Sequence, residues 1–142
     1  MSGEAKIPLY SSQMLALAVE LAQYQSIPEA RYYGEARSAT CGSTLAISFD
    51  EGIERLGLKV TACAVGQASA TIFARHSKGK TEAEIAASSN AIAAWLGGDA
   101  PLPEWPDLHL IAPASDYPAR HGAILLPWKA ALAALSSGDE GR

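Results

Sequence analysis

Two cysteines carry the strongest chemical signal in this sequence. Cys63 stands in Thr61-Ala62-Cys63-Ala64-Val65-Gly66, where a strand pattern gives way to a helical one. A helix N-terminus presents free N–H groups and a partial positive charge. A thiol held there has a lowered pKa, which makes it a better nucleophile and metal ligand. The alternative is a buried cysteine acting as a small hydrophobe. Cys41, in Ala39-Thr40-Cys41-Gly42-Ser43, comes just before a predicted hairpin, and alone it would be an ordinary loop cysteine. The pair does not amount to a zinc motif, which wants four ligands. Of the imidazoles, His76 falls late in a predicted helix, where it opposes the dipole. His109 is expected in solvent, and His121 lies on an apolar stripe as a core or rim histidine. No Ser-His-Asp pattern, P-loop or dinucleotide fingerprint occurs. Glu82, Glu84 and Glu104 read as capping or solvated carboxylates.

The elements that must position the thiols follow from periodicity. Leu45, Ile47 and Phe49 alternate with polar or small residues, as do Leu56, Leu58, Val60 and Ala62, with the turn signal Asp50-Glu51-Gly52 between them. Matching the apolar positions pairs Leu45 with Val60, Ile47 with Leu58 and Phe49 with Leu56. Cys41 and Cys63 then share the open end of the hairpin, one residue out of direct register. Opposed strand residues lie roughly 4.5–5.5 Å apart at Cα, so the thiols are expected within reach of one another. Strict alternation would send them to opposite faces, so their convergence requires the strands to end before them. With a helix behind it, Cys63 is expected to be the more reactive.

Residues 10–24 read as a helix with Met14, Leu17, Ala18 and Leu21 on one face, capped by Ser11 or Ser12. Ile27-Pro28 ends this stretch. Residues 31–39 read as a short edge strand, and residues 65–77 as a helix stopped by Ser77-Lys78-Gly79-Lys80. Thr81 with Glu84 forms a capping box for a helix to about Leu96 that buries Ile85, Ile92 and Leu96. Residues 97–106 are a Gly/Pro-rich loop, and residues 107–113 read as one short helix. A last helix over residues 118–135 carries His121, Ile124, Leu125, Trp128 and Leu132 on one stripe. Pro127 should kink it and free the carbonyl of Ala123. Residues 136–142 read as a frayed tail. The order helix, strands, then several helices predicts an α+β fold: a small antiparallel sheet of about three strands with helices over one face.

Composition narrows the function classes. The chain has 142 residues, 49% of them hydrophobic and 18% charged, which fits a single ordered domain over residues 1–142. A net charge of −4 without any Lys/Arg run argues against nucleic acid. No apolar run approaches the roughly 20 residues that cross a bilayer, and the first residues lack a signal-peptide core. A cytoplasmic protein with reduced thiols is expected.

The string Cys41-Gly42-Ser43, followed by Ala62-Cys63-Ala64-Val65-Gly66-Gln67-Ala68-Ser69-Ala70, resembles the U-type iron–sulfur cluster scaffold family. Ser77-Lys78-Gly79-Lys80-Thr81 is similar to that family's lysine-glycine-lysine turn. Tyr117-Pro118-Ala119-Arg120, leading to Leu125-Leu126-Pro127-Trp128, resembles the segment that holds its third cysteine. The long stretch over residues 97–118 is similar to the longer-spaced branch, found with a cysteine desulfurase partner. The resemblance covers nearly the whole chain.

It implies a non-enzymatic scaffold in which three cysteines and an aspartate hold a [2Fe–2S] cluster or zinc, taking sulfur from a desulfurase and passing clusters on. In the longer branch the zinc-bound cysteine takes the persulfide sulfur. Cys41 and Cys63 carry over; the aspartate position is Ser43 and the third cysteine position is Ala123. His121, two residues earlier, stands about 200° around a regular helix from Ala123. Ser43 and His121 are thus secondary metal candidates, and completing a cluster would take His121, solvent, glutathione or a second subunit. The implied partners are a cysteine desulfurase or other iron–sulfur assembly proteins, with the chain a monomer or homo-oligomer. Two further readings stay open: a cluster-free interaction protein docking on the assembly machinery, and a thiol-redox protein with a reversible Cys41–Cys63 disulfide.

Overall fold

The structure, a computed structural model, describes residues 10–39 and 41–138. The chain runs α1 (Ser12–Glu20), β1 (Tyr32–Arg37), β2 (Thr44–Phe49), β3 (Leu56–Thr61), α2 (Ala64–His76), α3 (Glu82–Leu96) and α4 (Pro118–Gly138). Short 3-10 turns cover Leu21–Gln23, Glu51–Ile53 and Leu108–Asp116. The α+β expectation holds. The three strands form one antiparallel sheet in the order β1-β2-β3, and Leu45 pairs with Val60, Ile47 with Leu58 and Phe49 with Leu56, as the alternation predicts.

The helices pack against the sheet face that carries Tyr32, Leu45, Ile47, Phe49 and Leu58, all buried. α4 crosses β1 closely enough that a Cβ on Gly34 would meet the Ala130 carbonyl oxygen and fall 2.5 Å from the Ala134 amide nitrogen. On the other side of the sheet, the stretch after α1 runs beside β3. The Leu58 N–H donates to the Tyr24 carbonyl (2.8 Å) and the Ile27 N–H donates to Ser48 Oγ (3.0 Å). A Cβ on Gly57 would lie 2.8 Å from Ser26 Cα. This segment covers part of an edge that would otherwise offer unpaired backbone groups.

Local signals explain most boundaries. Ser11 Oγ accepts from the Met14 N–H (3.1 Å) at the start of α1, which buries Met14 and Leu17, while Ala18 and Leu21 are only half-buried. The Thr81 capping box forms in both directions, and α3 buries Ile85, Ile92 and Leu96 as expected. The short helix expected over residues 107–113 is present in 3-10 form and extends further. A 3-10 stretch runs Leu108–Asp116, entered through Asp107 at φ 70°.

The last helix departs from its predicted stripe. Ile124 and Trp128 are buried, but His121, Leu125 and Leu132 are only half-buried, while Ala123, Leu126, Ala130, Ala131 and Ala134 are buried as well. The reason is that α4 touches β1, β2, α2 and α3, so several of its sides meet protein. α4 continues through Pro127 to Gly138, so residues 136–138 of the expected tail are helical, and the remainder of that tail lies outside the described residues. Near the missing amide, the buried Ser69 hydroxyl donates to the Ile124 carbonyl (2.7 Å).

Trp128, Phe73 and Trp105 form one aromatic cluster, with ring centroids 5.1–5.6 Å apart. Trp105 Nε1 donates to the Ile72 carbonyl (3.1 Å), which pins the long loop after α3 into the core. No helix among the described residues is long and apolar enough to cross a membrane.

Gly34→Ala is expected to destabilise the fold, because the added methyl meets helix backbone rather than a movable side chain. Forced overpacking of this kind costs roughly 1–3 kcal/mol, and a urea melt of the variant against the parent should read a loss in that range.

Candidate functional site

Both strands end before the cysteines. β2 begins at Thr44 and β3 ends at Thr61, and these two residues pair across the ladder. Cys41 therefore sits in the loop from β1 to β2, and Cys63 is the N-cap of α2, both at one end of the sheet. The requirement that the strands stop short of the thiols is met.

The Cys41 loop is a tight turn. The Ser38 N–H donates to the Ser43 carbonyl (2.8 Å) and the Gly42 N–H donates to the Ser38 carbonyl (2.9 Å). Gly42 takes φ 72°, a left-handed conformation open to glycine. This turn sets Cys41 Sγ 3.4 Å from Ser38 Oγ and 3.0 Å from Ser43 Oγ. Both serines are buried, while Cys41 itself is exposed. The Ser38 hydroxyl, then the Ser43 hydroxyl and backbone N–H, hold the Cys41 thiol below the usual cysteine range against an upward push from burial, and Arg120 in α4 adds a still smaller lowering. Hydrogen bonds to the charged form are the dominant cause.

Arg120 adds positive charge near this end of the sheet. It lies in the first turn of α4, and its Nη2 donates to the Tyr10 hydroxyl (3.3 Å). Its charge is held most strongly by Tyr10, and also by the Cys63 and Cys41 sulfurs. The Ser38–Cys41–Ser43 spacing is visible in the sequence but points to a site only once the loop is folded.

The other candidates separate from the thiols. His121 Nε2 donates to the Ser115 carbonyl (2.7 Å), which occupies that ring nitrogen. His76 Nε2 lies 2.8 Å from Asp107 Oδ2, within a set of ion pairs that also ties Arg75 to Glu20 and Asp107. This is a structural clamp between α1, α2 and the loop before α4. His109 is exposed.

Ala123 is fully buried. A Cβ on Gly66 would lie 2.8 Å from Ala62 Cβ and 3.2 Å from Ala123 Cβ, so Ala123 packs on the first turn of α2, three residues after Cys63. Among the described residues no group of three or more His, Cys, Asp or Glu side chains gathers to hold a metal.

Whole-chain comparisons agree with this architecture. A nitrogen-fixing NifU-like protein (N-terminal) from Brucella abortus superposes with a TM-score of 0.83 at 29% identity, covering 94% of this chain and 96% of that one. A protein from the thermophile Fervidobacterium islandicum AW-1, described as an iron–sulfur cluster assembly scaffold for the SUF system, gives 0.74 at 25% identity over 89% and 96%. A hypothetical protein solved at 2.3 Å shares the fold, with a TM-score of 0.64 at 18% identity over 89% and 99%. No family model and no curated protein matches the sequence. The first two likenesses extend over nearly the whole chain and are to proteins described as NifU-like and as a SUF-system scaffold.

The helix-start argument favours Cys63 as the reactive thiol, but exposure and hydrogen bonding favour Cys41. Alkylation followed by mass spectrometry across a pH series should show Cys41 reacting with a midpoint below that of a free cysteine. A depressed folded pKa means more thiolate at a given pH, so the midpoint should rise on denaturation and rise partway in Ser38→Ala. A Cys63 that reacts ahead of Cys41 at every pH would restore the helix-dipole account.

Proposed function

We propose that this chain is a scaffold or carrier in iron–sulfur cluster assembly, in which Cys41 and Cys63 contribute part of the ligand set and the remaining ligands come from outside the described chain. The observation that carries the reading is the likeness over nearly the whole length to two scaffold proteins, joined to two cysteines at one end of the sheet. A scaffold binds and hands on its cargo, so no catalytic residue is assigned. A cysteine desulfurase or another assembly protein fits as partner, and a cytoplasmic setting, where thiols stay reduced, belongs to the same reading.

The donor set limits the cargo. Two thiols and the Ser43 hydroxyl fall short of the four protein ligands usual for a cluster, and a closed zinc site needs four. With Ala123 in place of a third thiol and one nitrogen of His121 engaged, the chain alone would hold iron or zinc loosely. The same observation favours the second reading, a cluster-free protein that docks on the assembly machinery through the scaffold fold.

Anaerobic reconstitution with iron and sulfide separates the two. A carrier should gain visible absorbance and bound iron that a chelator strips readily, and Cys41→Ser with Cys63→Ser should gain neither. Colourless parent protein after reconstitution would leave the cluster-free reading.

Restoring the implied ligands tests the placement of the site. In Ser43→Asp with Ala123→Cys, a carboxylate would stand beside Cys41 and a new sulfur would face the start of α2. Zinc affinity should rise by orders of magnitude and fall steeply with acid, since each thiol must lose its proton to bind. The extra sulfur against Gly66 should cost about 1–3 kcal/mol in the apo form. Lower stability with unchanged zinc affinity would mean that Ala123 does not face the site.

A further inference from the structure

The helices bury one face of the sheet, and the opposite face stays accessible. There the strand register puts Glu35, Ala46 and Lys59 in one row and Arg37, Thr44 and Thr61 in the next. These six residues line an open cavity of about 490 Å³. Its floor is small and half-buried, at Thr44 and Ala46 on the central strand, while Glu35, Arg37, Lys59 and Thr61 are exposed. Tyr33, in the row beyond, borders this cavity and also a second one of about 340 Å³ that reaches Ala30 and Ser48. Together they follow most of the length of the strands, whose six residues span roughly 20 Å.

The two cations of this face lack counter-charges. Among the described residues neither the Arg37 nor the Lys59 side chain meets a hydrogen-bond or ion-pair partner. By contrast Arg31, Arg55, Arg75 and Arg120 are all engaged. Glu35 also lines the cavity, and the Tyr33 hydroxyl donates to it. Strands lie roughly 4.8 Å apart, so Arg37 on β1 and Lys59 on β3 stand about 10 Å apart across the sheet. We propose that this face docks an extended acidic segment of a partner protein, with its carboxylates on Arg37 and Lys59 and its backbone passing over Ala46. An extended chain repeats its side chains on one side about every 7 Å, so a pair of acidic residues reaches both cations. The length of the groove suits a polypeptide better than a small anion. A nucleic acid fits less well, because its dense charge would meet Glu35 and a chain of net charge −4. The surface uses neither thiol nor metal, so it stands or falls separately from the scaffold reading.

The test titrates a fluorescein-labelled peptide of five Glu-Thr repeats with the reduced full-length protein, read by anisotropy at low salt. Saturable binding is expected, weakened roughly tenfold when glutamine replaces glutamate in the peptide. Arg37→Gln with Lys59→Gln should weaken it about as much, and Glu35→Gln should tighten it several-fold by removing the opposing charge. Lys129→Gln, exposed on α4, should change nothing. Amide shifts on binding should cluster in β1, β2 and β3. Melting curves show whether each variant is folded, and the peptide exchange on the parent tests the charge requirement without any variant. Absence of binding, equal weakening by Lys129→Gln, or shifts centred on another surface would overturn the assignment. So would displacement of the peptide by citrate at equal carboxylate concentration, which would mark a small-anion site, or equally tight binding of a ten-residue oligothymidylate.

Discussion

The close approach of α4 to the sheet and to α2 is the constraint on which the rest of the molecule depends. At Gly34 there is no room for a methyl between β1 and the backbone of α4, and at Gly66 the first turn of α2 meets Ala62 and Ala123 almost as tightly. Small residues at these crossings let backbones come near, and dense packing of this kind tolerates little added volume. The first contact seats α4 on β1. The second brings the start of α2, and with it Cys63, against the first turns of α4, where Arg120 lies. The site is a consequence of that packing: its thiols come from a loop and a helix cap, and the fit of glycine and alanine lies behind them.

The same packing bears on Ala123. Packed this close to Gly66, a larger side chain at Ala123 would fill a tight crossing, and alanine fits it. Ser43 shows the contrast: it lies in the turn before β2, and its hydroxyl reaches Cys41.

Legibility in the sequence follows the range of the interactions involved. The β2–β3 register could be read because one-sided burial imposes a period of two, and a slip of one residue would turn every apolar side chain outward. The Thr81–Glu84 box and the Ser11 cap could be read because a cap is closed within three or four residues. The placement of Cys63 at a helix start is equally local. What could not be read is what depends on several elements at once. The burial of α4 on several sides follows from its four neighbours, so its predicted stripe named Leu125 and Leu132 and passed over Ala130 and Ala134. The hydrogen bonds of Cys41 with Ser38 and Ser43 need the turn around Gly42, whose φ of 72° is a property of the folded loop. The charge of Arg120 reaches Cys41 only because α4 packs on the sheet.

Charge is the last element of the argument. Two thiolates at one end of a small sheet repel each other, and such a pair persists only if a cation or hydrogen-bond donors offset the charge. A metal ion does this with full positive charge at bonding distance. Here part of the task at Cys41 falls to groups that belong to the chain: Ser38 and Ser43 beside its sulfur and, more weakly, the Arg120 guanidinium. Arginine stays protonated throughout the accessible pH range, so this compensation does not depend on metal supply. It is also weaker than coordination, because guanidinium and thiolate attract without sharing electrons. Such groups lower the pKa of the Cys41 thiol while leaving it exposed in the absence of cargo.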